Sequence, residues 1–199
     1  LDSVQFPDGH RETYEYLSGH EIRFTNASGH AKTSTYLALG SPAYDLPLSI
    51  AQPENITTTL TYNVAGYPTN ITQGGYSETR VYDNKMQLCL KKRPETGIKA
   101  LQYNALGQVT KYAEGLAGNG RSCQDYTNVA ANWVSTVYDH HGDQHQLNFA
   151  DGNSPNKLYQ LDPQGNLQTL TAGGTVWSYT YNAAHQSETE TLTIDGKSY

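Results

Sequence analysis

The chain has 199 residues, of which 36% are hydrophobic, and its 13 Lys and Arg against 19 Asp and Glu give a formal net charge of −6. That acidic balance, with one short basic run, excludes nucleic acid and anionic membrane as general partners, since both need a basic surface. No apolar run is long enough to span a membrane and no signal peptide is recognisable, while the low hydrophobic share suits a broad sheet that buries little on its second face.

The first predicted elements are short strands separated by Asp8-Gly9-His10, Ser18-Gly19-His20 and Ser28-Gly29-His30, a Gly-His turn every ten residues. Ten residues make one strand plus one turn, so successive turns fall at opposite strand ends. His10 and His30 are expected on one edge and His20 on the other, which argues against a three-histidine metal site. Tyr16-Leu17-Ser18-Gly19 and Tyr36-Leu37-Ala38-Leu39-Gly40 begin a longer rhythm, followed by a proline-bearing insertion from Gly40 to Pro53. Leu60-Thr61-Tyr62 and Thr79-Arg80-Val81-Tyr82 read as strands, because Thr, Val and Tyr fit a pleated surface. They run into the turns Tyr62-Asn63-Val64-Ala65-Gly66 and Tyr82-Asp83. Lys91-Lys92-Arg93, ahead of Pro94-Glu95-Thr96-Gly97, reads as a solvated hairpin end. Tyr103-Asn104-Ala105-Leu106-Gly107 repeats the turn, and an irregular insertion spans Ala113 to Trp133. Beyond it come Tyr138-Asp139-His140-His141-Gly142, then Leu161-Asp162-Pro163-Gln164-Gly165, which replaces the tyrosine, and Tyr181-Asn182, which lacks the glycine.

From anchor to anchor, Tyr16 through Tyr181, the intervals are 20, 26, 20, 21, 35, 23 and 20. Self-similarity at such a period marks stacked supersecondary units. Each unit reads as a β-hairpin: Asp or Asn suits the first position of a type I turn, and the glycine suits the left-handed position that closes it. Val109 and Tyr112 differ in parity after the turn, as do Leu167 and Leu170, which a bulge just after the turn explains. No stretch keeps 3.6-residue apolar spacing, so almost no helix is expected. The predicted fold is all-β, an extended antiparallel sheet of stacked hairpins. It forms a single domain, 1–199, continuous with further repeats beyond both ends, whose open edge strands are expected to self-associate.

Groups that bear chemistry are few. Asp139-His140-His141-Gly142-Asp143-Gln144-His145 is the densest set of metal-capable residues, yet Asp139, Gly142 and Asp143 are what a turn uses anyway. No Gly-x-Ser-x-Gly elbow, phosphate loop or His-Glu-x-x-His helix occurs, so no catalytic residue, cofactor or metal is expected. Cys89 and Cys123 lie where adjacent hairpins can bring them together, as a disulfide or as two separate thiols.

The pattern resembles the RHS or YD-repeat family, which includes bacterial RHS toxin shells and teneurin-like proteins, in which Tyr-Asp-x-x-Gly-Arg opens a turn followed by an apolar strand. The matching residues are Tyr14-Glu15-Tyr16, Leu60-Thr61-Tyr62-Asn63, Val81-Tyr82-Asp83, Gln102-Tyr103-Asn104, Val137-Tyr138-Asp139 and Thr180-Tyr181-Asn182, covering roughly Phe6 to Tyr199. No copy keeps the arginine: His20, Tyr67, Gln108, Asp143 and Asn166 stand there, so no role of that arginine carries over. The repeat-defining residues are Tyr16, Gly19, Tyr36, Gly40, Tyr62, Gly66, Tyr82, Asp83, Tyr103, Gly107, Tyr138, Gly142, Gly165 and Tyr181. The resemblance implies a spiralling β-ribbon that forms part of a hollow shell, secreted or at the cell surface, enclosing a toxin-like polypeptide and flanked by repeats of the same parent chain. The alternative is an adhesion or carbohydrate-binding module that stacks exposed Tyr and Trp on sugar rings. Burial of Tyr62, Tyr103, Tyr138 and Trp177 favours the first, and an exposed coplanar row the second.

Overall fold

A computed structural model describes residues 2–39, 45–126 and 132–199. Their regular structure is eighteen strands and one 3-10 turn, Cys123–Tyr126, and the strands belong to one antiparallel sheet. The fold is all-β and hairpin-built. Contacts divide the chain into two compact units, one of residues 1–98 with 117–123 and one of residues 99–116 with 124–199.

The first unit holds β1 (Ser3–Gln5), β2 (Arg11–Leu17), β3 (Glu21–Thr25), β4 (Ala31–Tyr36), β5 (Pro47–Ala51), β6 (Thr57–Tyr62), β7 (Pro68–Gln73), β8 (Tyr76–Tyr82) and β9 (Leu88–Arg93), with β10 (Gly97–Tyr103) beginning at its end. Consecutive strands from β1 to β9 pair in sequence order. Register gives this sheet two unlike faces. Tyr14 faces Phe24, Ile22 faces Ser34, Ser34 faces Ile50, and Leu60 faces Ile71 on one side. Thr13 with Thr25, Thr35 with Ser49 and Thr59 with Thr72 cover the other. Side chains alternate along a strand, so the two faces differ in composition, one aromatic and aliphatic and the other rich in threonine, while most residues of both are half-buried. Full burial is confined to a few residues, among them Cys89, Leu90 and Ile98.

The second unit continues with the rest of β10, β11 (Val109–Leu116), β12 (Val134–Tyr138), β13 (Gln144–Phe149), β14 (Lys157–Leu161), β15 (Leu167–Ala172), β16 (Thr175–Tyr181), β17 (Ser187–Ile194) and β18 (Lys197–Ser198). Among the described residues its buried ones are Ala100, Ala113, Leu116, Tyr126 and Trp133.

One five-residue turn recurs. In Asn63–Tyr67 the Gly66 N–H donates to the Asn63 carbonyl at 3.0 Å and the Asn63 N–H to the Tyr67 carbonyl at 2.9 Å. The Asn63 Oδ1 accepts from the N–H groups of Ala65 and Tyr67 at 3.0 and 2.9 Å. The same bonds recur from Asn26, Asp83, Asn104, Asp139, Asp162 and Asn182. A side-chain acceptor that mimics a backbone turn is the reason Asp or Asn opens each copy. The fourth residue adopts positive φ: Gly66 at 81°, Gly107 at 81°, Gly142 at 93° and Gly165 at 85°, with Met86 at 60° and His185 at 59° where glycine is missing. After five of these turns the second strand carries one extra residue. Tyr62 faces Pro68 and Thr61 faces Asn70, leaving Thr69 unmatched, and Tyr82, Tyr138, Leu161 and Tyr181 repeat this slip. This is the bulge behind the changed parity.

Several sequence expectations shift. The insertion from Gly40 to Pro53 contains β5, and Ala113–Leu116 completes β11 before the chain turns irregular. Gly19 does not sit in the five-residue turn: it is followed by His20 at φ 61°, and Leu17 pairs with Glu21 without a bulge. The five-residue geometry instead appears at Asn26 and, without the side-chain acceptor, at Phe6 and Gln52. Tyr36 does keep the bulged register, facing Pro47. Gly40 lies outside the described residues.

Candidate functional site

The repeated tyrosine has one task at each described copy where its hydroxyl bond is resolved. Tyr62 donates to the Pro47 carbonyl at 2.7 Å and Tyr82 to the Pro68 carbonyl at 2.9 Å in the first unit. Tyr138 donates to Val109 at 2.8 Å and Tyr181 to Leu167 at 2.9 Å in the second. Each acceptor is the first residue of the strand that follows the preceding turn, or of the strand after the insertion in the case of Pro47 and Tyr62. There the ladder between neighbouring hairpins has already ended: β7 and β8 pair only from Asn70 with Thr79 to Gln73 with Tyr76, and β15 and β16 only from Thr169 with Ser178 to Ala172 with Thr175. The hydroxyl therefore replaces the missing ladder bond and ties each hairpin to the one before it. A bond of this kind contributes about 0.5–1.5 kcal/mol. Tyr62, Tyr82, Tyr103, Tyr138, Tyr181 and Trp177 are all half-buried. Burial raises the Tyr62 hydroxyl above the usual tyrosine value.

Adjacent turns are also joined side by side. Gln108 Nε2 donates to the Gly142 carbonyl at 3.0 Å, Asn166 Nδ2 lies 3.1 Å from His185 Nδ1, and Asn63 Nδ2 lies 3.6 Å from Met86 Sδ. The Tyr67 ring packs on Tyr82 with centroids 5.4 Å apart. Tyr67, Gln108 and Asn166 stand at the same position, directly after the fourth residue of the turn, and each reaches the neighbouring turn from there.

The histidine-rich segment is a turn. The Asp139 Oδ1 accepts from the N–H groups of His141 and Asp143 at 2.9 and 3.0 Å. The Asp143 N–H, then those of His141 and Gly142, hold its carboxyl below the usual range against desolvation. The His140 and His141 rings meet at a tilt of 45° with centroids 3.7 Å apart, and no metal-capable group of three or more residues occurs among the described residues. His10 is exposed and lies 3.1 Å from the Asp8 carboxylate.

Two features carry more weight than their sequence suggested. Lys91 and Arg93, read as a solvated end, converge with Arg80 on the buried Glu78: Arg80 Nε is 2.6 Å away, Lys91 Nζ 3.8 Å, and Arg93 Nε donates to the second carboxylate oxygen. Burial alone would raise the Glu78 carboxyl, but the hydrogen bonds from Arg80 and Arg93 and the charges of Arg80 and Lys91 outweigh it and hold it low. Glu78 and Arg93 stand on neighbouring strands 15 residues apart, a pairing visible only once register is known. Cys89 and Cys123 form a disulfide across a separation of 34 residues, with Cα atoms 5.4 Å apart. Lys92 Nζ donates to Asn119 Oδ1 at 3.2 Å beside it, so the start of the insertion is pinned within the first unit.

No protein-family model matches the sequence, and no curated protein matches it. Solved structures do match in fold. TcdB2-TccC3-TEV superposes with a TM-score of 0.67 at 12% identity, over 98% of this chain and 11% of that one. A Tc holotoxin pore of Photorhabdus luminescens carrying a mutated TccC3 gives 0.61 at 10% identity, over 99% of this chain and 13% of that one. TcdB2-TccC3-Cdc42 gives 0.56 at 14% identity, over 98% and 12%. The chain thus spans about a tenth of the length of the proteins it matches. At these identities the likeness is one of fold.

Proposed function

We propose that the chain is a non-enzymatic scaffold segment of an RHS/YD-repeat β-shell, secreted or displayed at the cell surface by its parent protein, and that the shell encloses a toxin-like polypeptide. The observation that carries this reading is the tyrosine clamp. The recurring aromatic joins one hairpin to the next, its hydroxyl proton donated to a backbone carbonyl. Fold likeness along nearly the whole chain to Tc toxin chains supports the same reading. Its partners are the flanking repeats of the parent and the enclosed polypeptide. The test is limited proteolysis of the parent protein: a C-terminal polypeptide inside a shell survives protease until the shell is denatured. Cleavage of that polypeptide as fast as an exposed linker overturns the proposal.

A second reading, carbohydrate binding, is favoured by one place in the first unit. Tyr14, Tyr16, Phe24, Tyr36, Lys32 and Ser34 line a cavity of about 490 Å³ on the aromatic face, and Tyr16 is 61% exposed. Aromatic faces with adjacent polar groups suit sugar rings. Retention on an immobilised glycan series that is lost in Tyr16→Ala separates this reading from the scaffold, which predicts no retention.

A further inference from the structure

We infer that the junction between β13 and β14 is a seam at which the second unit parts, while its other hairpin junctions stay closed. Every other junction at this edge of the second unit with resolved bonds has two ties. Between the turns at Asn104 and Asp139 these are the Tyr138 hydroxyl on the Val109 carbonyl and Gln108 on the Gly142 carbonyl. Between the turns at Asp162 and Asn182 they are the Tyr181 hydroxyl on the Leu167 carbonyl and the contact of Asn166 with His185.

Between the turns at Asp139 and Asp162 both ties are lost, each for a reason in the side chain. Leu161 occupies the tyrosine position and has no hydroxyl to offer the Gln144 carbonyl, the counterpart of Val109 and Leu167. Asp143 stands where Gln108 and Asn166 stand, and an ionised carboxylate accepts only, so it cannot donate to the Gly165 carbonyl as Gln108 does to that of Gly142. The ladder does not make up for them. β13 and β14 share two register pairs, Gln146 with Leu158 and Leu147 with Lys157, whereas β15 and β16, the next junction, share four. The β11 and β12 ladder is equally short, with two pairs, but keeps both side-chain ties. The side-chain bond from the Phe149 N–H to Asn156 Oδ1 at 3.0 Å, and those of Asp151 with Asn153 and Ser154, lie at the opposite end of the strands. A cavity of about 760 Å³ lies at the untied end, bordered by His145 and Tyr159 on the two strands and by Asp143 and Gln164 on the two turns. The missing donors and the gap coincide at one junction, where a two-pair ladder is left to hold the strands without them.

Segments that open locally exchange their amide hydrogens through that opening. Hydrogen–deuterium exchange of the full chain, followed by mass spectrometry, is expected to show peptides covering 144–149 and 157–161 exchanging at least tenfold faster than those covering 167–172 and 175–181. The double variant Leu161→Tyr with Asp143→Gln is expected to slow the fast peptides about tenfold. Tyr181→Phe, which removes a tie from an intact junction, is expected to speed exchange in 167–172 and leave 144–149 unchanged, which keeps the idea testable if the double variant does not fold. Equal protection of all four segments in the wild type overturns the seam, as does a folded double variant that exchanges like the wild type.

Discussion

Replacing Tyr62 with phenylalanine isolates the clamp, because the ring and its apolar contacts stay while the 2.7 Å bond to the Pro47 carbonyl goes. The net value of such a bond is about 0.5–1.5 kcal/mol, and stranding the acceptor adds to that when water cannot reach it, up to about 3 kcal/mol. Pro47 is half-buried, so water reaches its carbonyl in part, and the expected loss is about 1.5 kcal/mol. For a chain of this size that corresponds to a fall in melting temperature of about 3–6 °C. Urea and thermal unfolding, followed by the fluorescence of Trp133 and Trp177, measure it. Tyr16→Phe is the control: Tyr16 is 61% exposed and its hydroxyl makes no hydrogen bond among the described residues, so no change is expected. The pH dependence supplies a second signature. Burial raises the Tyr62 hydroxyl above 10.0, so the folded state holds its proton more tightly than the unfolded chain. The resulting stability is complete below the unfolded value and is lost as pH rises through the folded one. The gap between wild type and Tyr62→Phe should therefore narrow above about pH 10. Equal melting of Tyr62→Phe and Tyr16→Phe would refute the clamp.

Glu78→Gln leaves Arg80, Lys91 and Arg93 facing one another without their counter-charge, and a loss of about 2 kcal/mol is expected by urea titration, below the cost at a fully dry site because these cations reach water. Since the Glu78 carboxyl is held low, its contribution is present above the ordinary glutamate range and is lost as pH falls through the depressed value, so the wild type and Glu78→Gln should converge in stability in acid below about pH 4. Reducing the Cys89–Cys123 bond, or replacing both cysteines with serine, removes a closure across 34 residues worth roughly 4 kcal/mol in the chain-entropy model, which denaturation with and without reductant reads directly. At Gly107, φ 81°, valine should cost about 1–3 kcal/mol and asparagine less than about 1 kcal/mol, and equal melting of the two variants would contradict a left-handed position there.

What the sequence disclosed, and what it withheld, divides along a physical line. Turn chemistry is local: Asn63, Asp83, Asn104 and Asp139 each satisfy N–H groups two and four residues on, so the same letters at the same spacing return wherever the turn does. The strand-built fold, the hairpins and the bulge after them follow from that locality. The turn at Ser28-Gly29-His30 was legible, but its opener Asn26 was not, because threonine rather than tyrosine precedes it, and the left-handed Met86 and His185 were not, because such a position needs only backbone space and not always glycine. The clamp was out of reach for a different reason. Its acceptor is a main-chain carbonyl, which every residue carries, so Pro47, Pro68, Val109 and Leu167 share no side-chain property that could mark them. Glu78 shows the same limit from the side-chain direction: three cations and one acid spread over two strands look like a solvated run until register sets Arg80 opposite Lys91. Once register is known the sequence becomes informative again. Leucine at 161 and aspartate at 143 look like ordinary drift in a degenerate repeat, yet each removes a donor from the same junction, and the loss is legible only against the neighbouring copies that keep theirs.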